Sequence, residues 1–191
     1  MKLLVGLGNP GREHVLNRHN LGFLLVEAWV LAKGEVFRKQ EFKADTARMK
    51  LGDQDVFVMK PRTFMNRSGE SIAEAMQFFK ISIEDVIVVH DEIDIPPKSF
   101  RIKRGGGHGG HNGLRSIIAH GENFLRFRAG VGRPEHPGID VADYVLGNLS
   151  KDELNFWEQE MDAVIEALDL CLLEKIEIAM NRFNRKIENK G

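Results

Sequence analysis

Lys2-Leu3-Leu4-Val5-Gly6-Leu7-Gly8-Asn9-Pro10-Gly11 opens the chain with an apolar run that halts at a glycine-proline turn. A run of this kind reads as a buried strand entering a turn. The turn presents the Asn9 carboxamide at the strand's C-terminal end, the end at which open α/β sheets bind ligands. By spelling, Gly6-x-Gly8-x-x-Gly11 also matches a dinucleotide fingerprint. Pro10 removes an amide from that turn, however, and the helical pattern begins only near Asn20, too late to set a helix N-terminus on a pyrophosphate. A nicotinamide cofactor is therefore not expected.

Further strand ends repeat the pattern. Arg18-His19-Asn20 leads into an apolar helix, Leu21 to Leu31, ending at Gly34, and His19 follows the first turn closely enough to share its crevice. Lys43 to Leu51 and Gln54 to Lys60 flank Gly52-Asp53, a hairpin signal. Pro61 to Asn66 then brings a second amide, Asn66, to a strand-to-helix junction. Ser68 or Ser71 is expected to cap the following helix, with Ser71-x-x-Glu74 spelling a capping box and Ile72, Ala75, Met76 and Phe79 on one face. The β-branched run from Asp85 to His90 delivers Asp91 at its end, and a strand-end carboxylate beside a histidine fixes that ring's tautomer.

Gly105 to Gly113 reads Gly-Gly-Gly-His-Gly-Gly-His-Asn-Gly, and six of these nine residues lack a Cβ. Such a backbone can lie close to a ligand at an entropic cost that a plain surface loop has no reason to carry. Asn112 sits where the N-cap of the next helix is expected. An alternating strand precedes the loop at Ser99 to Lys103, and another, Phe124 to Val131, places Arg126 and Arg128 on one face. Gly132 to Gly138 reads as a mobile loop and Asp140 to Leu146 as a short element of open type. From the cap Ser150 onwards, one long helix with an acidic outer face is expected, followed by a polar, frayed tail from Asn184.

The net charge of −1 conceals an uneven distribution. From Pro96 to Arg133 eight basic residues stand against one acid, a balance of +7; from Lys151 to Met180 nine acids stand against two lysines, a balance of −7. The glycine loop lies inside the basic segment, whose natural partner is a polyanion. At 191 residues and 42% hydrophobic, the chain suits one well-filled domain. No apolar run reaches spanning length, and no signal-peptide core precedes the first turn, so a cytoplasmic protein without membrane attachment is expected. The single cysteine, Cys171, lies among leucines and reads as a buried structural thiol.

Amides at strand ends can hold a developing oxyanion, a histidine backed by a carboxylate can activate water, and a basic rim can hold phosphates. No serine occupies a Gly-x-Ser-x-Gly elbow, so direct attack by water is the simplest chemistry. The residues leave open whether His19 or His111 is the base.

The set Gly6 to Gly11, Arg18 to Gly22, Pro61-x-Thr63-Phe64-Met65-Asn66-x-Ser68-Gly69, His90-Asp91-Glu92-x-Asp94 and Gly105 to Gly113 closely resembles bacterial-type peptidyl-tRNA hydrolase. The likeness continues through Val145-Leu146-Gly147 to Met180-Asn181-Arg182-Phe183. It implies a monomeric α/β fold over residues 1–191, with a twisted mixed sheet between helices, that hydrolyses the ester joining a peptide to the 3′ ribose of tRNA. It implies neither cofactor nor metal. By resemblance His19 is the base and Asp91 orients it; Asn9, Asn66 and Asn112 bind substrate near the scissile bond, with Met65 and His111 lining the site. Lys103 and Arg128 hold tRNA phosphates, and Arg104 and Arg133 of the same basic segment are assigned to that surface. Where the family carries tyrosine and threonine ahead of Arg-His-Asn, this chain has His14 and Asn17; His14 is assigned to the substrate's 3′ end, where it can stack or meet a phosphate.

Two other classes compete. A non-catalytic RNA-binding protein on the same fold needs only the basic face, whereas this chain also carries the full polar set. A metal-dependent hydrolase would use His108-x-x-His111 with His90 or Asp91.

Overall fold

The computed structural model describes residues 1–184. Its centre is the strand predicted first. β1 (Lys2–Gly6), every residue buried, pairs in parallel with β4 (Gln54–Pro61) on one side and β5 (Val86–Glu92) on the other. The full order is β2-β3-β4-β1-β5-β7-β6, with β2 (Lys39–Glu41), β3 (Ala44–Leu51), β6 (Phe100–Arg104) and β7 (Leu125–Gly130) completing seven strands. Strands β4, β1, β5 and β7 run parallel, and antiparallel pairings close both edges, so the sheet is mixed. The hairpin turn falls at Gly52-Asp53 as its spelling requires.

Helices cover both faces. On one, α1 (Leu21–Ala32), α5 (Lys151–Gln159), α6 (Met161–Leu172) and α7 (Ile176–Phe183) pack on Val58, Val89 and Phe127. On the other, α2 (Ser68–Phe79) and α3 (Asn112–Ile118) pack on Leu3, Val5 and Val88. Between β7 and α5 lies α4 (Val141–Val145), which resolves the open element as a helix capped by Asp140, whose carboxylate accepts from the Ala142 amide. No helix among the described residues is long and apolar enough to cross a membrane.

Several local expectations are corrected. Ser71 is not a cap: α2 begins at Ser68, straight after a short 3-10 turn at Met65–Arg67, so Ser71 lies in the second turn and donates to the Phe42 carbonyl at 2.6 Å. The capping box with Glu74 does not form. The box that does form joins Ser150 and Glu153 at the start of α5. The single long C-terminal helix is three, because the chain breaks at Glu160 and again at Glu174, which takes φ +62°. Those bends turn α7 back onto the sheet, where the Asn184 carboxamide donates to the Ile102 carbonyl and accepts its amide, both at 2.7 Å. Asn184 is thus anchored, and the remainder of the expected tail, 185–191, lies outside the described residues.

One close approach positions the site. At Gly22 a Cβ would stand 2.3 Å from the Val89 carbonyl oxygen and 2.7 Å from the Leu7 backbone, so only glycine lets α1 enter this near the ends of β1 and β5. Backbone atoms cannot swing aside, and Gly22→Ala is expected to cost about 3 kcal/mol of stability. Urea denaturation checks this; an unchanged midpoint would show that the approach is not tight.

Candidate active site

The carboxyl ends of β1, β4 and β5 open into a cleft of about 580 Å³. Asn9, His19, Met65, Asn66, Asp91, His111 and Asn112 all line it, so most of the candidate residues meet in one place. At its centre the Asp91 side chain is 2% exposed, while His19 at 12% and His111 at 11% just reach the cleft. His19 Nδ1 donates to both Asp91 oxygens, at 2.9 and 3.0 Å, and His111 Nε2 donates to Oδ1 at 2.9 Å.

Hydrogen bonding fixes both tautomers. His111, not Asn112, is the N-cap of α3: its Nδ1 accepts from the Gly113 and Leu114 amides at 3.1 and 3.3 Å. An accepting Nδ1 leaves the proton on Nε2, where it meets Asp91. His19 gives its Nδ1 proton to the same carboxylate, so its Nε2 lone pair is the one left for the cleft. Asn112 is freed from capping, and its carboxamide lies at the rim, accepting from Arg115 at 2.9 Å.

Electrostatics follow from this geometry. Burial works against the charged form of His19, but the adjoining Asp91 carboxylate outweighs it and raises the pKa above the ordinary 6.5. Burial likewise opposes ionisation of Asp91, yet two ring donors hold its carboxyl well below the usual carboxylate range. Next to it, His90 is wholly buried; burial first, and then His111, push its pKa down to about 3. His90 is therefore a neutral ring, donating from Nδ1 to the Asp91 carbonyl at 2.7 Å.

Asn20, absent from the sequence-derived set, orients Asn9. Its Oδ1 accepts the Asn9 amide at 2.8 Å and its Nδ2 donates to the Asn9 carbonyl at 2.9 Å. Asn9 Oδ1 in turn accepts the Met65 amide at 2.8 Å, which leaves the Asn9 NH2 group as the donor facing the cleft. Also unforeseen is an apolar wall of Phe64, Val141, Ala142, Val145 and Leu146. Phe64 holds φ +61°, a strained backbone for a bulky residue that turns its ring outward at the mouth. His14 is not brought to this cleft; its Nδ1 pairs with Asn17 Oδ1 at 2.8 Å, and Asn17 Nδ2 donates to Asn148. Of the basic candidates only Arg133 lines the cleft, where it pairs with Asp94; Arg128 pairs with Glu92, and Arg104 lies towards the opposite end of the sheet, donating to the carbonyls of Glu84 and Asn123.

The ligand-type cluster here is His19, Asp91 and His111, with candidate atoms within 4.8 Å of one another. His108 and His90 are not part of any such cluster among the described residues, so the set built on His108 does not assemble. Even the observed trio suits a metal poorly. Ligation through His111 Nε2 would put a proton on Nδ1, facing two amide N–H groups that need an acceptor. Neither excess chelator nor added zinc is expected to change activity or the melting temperature; a rise in melting temperature with zinc would show that the cap yields.

Comparison with known proteins converges on one family. A family profile described as peptidyl-tRNA hydrolase matches residues 3–190. The peptidyl-tRNA hydrolase of Syntrophotalea carbinolica is 44% identical over 98% of each chain, and that of Anaeromyxobacter sp. (strain K) is 43% identical over 97% of each. The crystal structure of peptidyl-tRNA hydrolase from Acinetobacter baumannii superimposes with a TM-score of 0.89 at 38% identity, over 95% of this chain and 93% of that one.

Proposed function

Because the chain belongs to the peptidyl-tRNA hydrolase family, we propose that it acts as one unit over residues 1–191, a monomer of the cytoplasm, to hydrolyse the ester between a peptide's carboxyl group and the tRNA 3′ ribose. The observation that carries the mechanism is the His19–Asp91 pair, with its lone pair left towards the cleft. A water beside His19 Nε2 gives up a proton to it while its oxygen attacks the ester carbonyl carbon. The carboxamides of Asn9, Asn66 and Asn112 hold the peptide backbone and the developing oxyanion, and Met65 and His111 complete the walls. As the tetrahedral intermediate collapses, the bond to the ribose oxygen breaks and that oxygen takes up the proton held on His19 Nε2, giving free tRNA and peptide and restoring the neutral base. No nucleophilic side chain enters this scheme. Cys171 is buried in the core, and burial pushes its thiol up to about 12, where it is not a nucleophile. Lys103, Arg104, Arg128 and Arg133 face the tRNA.

Cleavage of an N-acetyl-aminoacyl-tRNA by the purified protein tests the reading. His19→Ala is expected to lower kcat by ~10³ with the fold retained, in the range of general-base contributions. If the native protein binds tRNA without cleaving, an RNA-binding role replaces the enzyme. The pH profile checks Asp91. The base works only when neutral, so kcat/KM falls on the acid side of the His19 pKa, a limb centred above 6.5. Asp91→Asn removes the anion that raises it, and the limb is expected to move to lower pH while the plateau drops; a limb that stays in place would assign it to another group.

Lys103→Ala and Arg128→Ala probe the rim. Each is expected to weaken tRNA binding and to flatten the slope of log K against log salt by about 0.7–0.9, the contribution of one phosphate. An unchanged slope would remove that residue from the phosphate contacts.

A further inference from the structure

Arg126 is a charged side chain only 3% exposed that forms no ion pair among the described residues: one amino group of its guanidinium donates to the Gly107 carbonyl at 2.6 Å and the other to the Gly106 carbonyl. Its plane lies over the Phe124 ring, 4.7 Å from the centroid. Lys103 is its direct cross-strand neighbour, and Arg101 and Arg128 form the next such pair, so four cations share one face of the antiparallel β6–β7 pair. Burial first, and then the nearby Arg128, pull the Arg126 pKa below its ordinary value. A buried, crowded cation of this kind is costly, and hydrophobic packing alone does not account for it.

What it does to the glycine loop is specific. In a trans peptide the carbonyl of one residue and the amide of the next point in opposite directions. With the Gly106 and Gly107 carbonyls drawn inward to Arg126, the amides of Gly107 and His108 point outward. Neither donates to a protein acceptor among the described residues, and Gly106 and Gly107 are exposed. The Lys103 ammonium lies alongside, 2.9 Å from where a Cβ on Gly106 would stand. Two adjacent outward amides, with an ammonium nearby that has no acid partner among the described residues, are donors suited to a phosphate oxygen.

We infer that Arg126 is a positioning residue: by holding two loop carbonyls inward it turns the Gly107 and His108 amides into a seat, shared with Lys103, for a phosphate of the tRNA. This deepens the peptidyl-tRNA reading and rests on it. Arg126 itself does not touch substrate.

The test is a pair of variants, read by binding of deacylated tRNA as well as by cleavage. Arg126→Gln removes the fork that spans both carbonyls, and Arg126→Lys, a point donor, restores the function only in part. Gly107→Pro removes one outward amide while leaving Arg126 in place; the site has room for it, with no atom within 4 Å of a Cβ there and a φ outside the left-handed region. Arg126→Gln and Gly107→Pro are each expected to weaken tRNA binding about tenfold and to flatten its salt dependence, with kcat at saturating substrate within about twofold of native. The double variant is expected to be no worse than the poorer single, since both remove one interaction. If either folded variant binds tRNA as the native protein does, or loses kcat without losing affinity, the seat does not exist. Failure of the native protein to cleave would sink the hydrolase reading instead, and the binding arm would still decide the role of Arg126.

Discussion

A carboxylate that water barely reaches, Asp91, is held between two imidazole N–H groups, and the site takes its shape from that arrangement. An ion so buried is tolerated only when its oxygens are hydrogen-bonded, and removing either partner leaves charge uncompensated at a cost of several kcal/mol. The three participants come from the end of β5, the turn ahead of α1, and the end of the glycine loop. Each has to be brought within hydrogen-bond reach by backbone packing. Gly22 lets α1 close on β5, and Gly113, where a Cβ would stand 2.6 Å from Met65 Sδ and 3.0 Å from the His111 ring, does the same for α3.

The hydrogen bonds also have a direction. Two backbone amides at the start of α3 donate to His111 Nδ1, His111 Nε2 donates to Asp91, and Asp91 accepts from His19 Nδ1, leaving the His19 Nε2 lone pair outermost. A helix cap thereby sets the His111 tautomer, and the shared carboxylate sets that of His19. Neutral His90 supports the arrangement from below: with its pKa pushed down to about 3, it brings no second positive charge to compete for Asp91.

Much of this was legible in the chain because glycine, proline and β-branched runs mark strand ends strongly. β1, the β3–β4 hairpin and β5 stand where those signals put them, and with them Asn9, Asn66 and Asp91 at one end of the sheet. Capping was read less well, since it depends on which residue begins the helix: the 3-10 turn at Met65–Arg67 displaces Ser71 inward, and an imidazole replaces Asn112 at α3. The edge strand β2 carries an exposed Lys-Gln-Glu with no apolar pattern, and pairing with β3 alone creates it. Asn20 was visible beside His19, but its two hydrogen bonds to the Asn9 backbone depend on two turns meeting in space. The apolar wall from α4 likewise comes from a segment whose sequence pattern is too short to show a period.

Charge shows where counting residues misleads. The balance of +7 between Pro96 and Arg133 suggests a uniformly attractive surface, yet its members differ in what they are free to do. Lys98, Arg128 and Arg133 already face Asp152, Glu92 and Asp94, so a phosphate must displace or share a carboxylate to reach them. Arg126 is turned to backbone carbonyls and acts on the shape of the glycine loop, while Arg104 donates from one amino group to two further carbonyls and stays partly exposed. Lys103, by contrast, is exposed and lies beside Gly106 of the glycine loop. The proposed phosphate seat accordingly falls where its ammonium adjoins loop amides with no protein acceptor among the described residues. The paired arginines add to long-range attraction, a field that acts at a distance whether or not each charge has a local partner, and a direct phosphate contact by either requires its carboxylate to be displaced or shared.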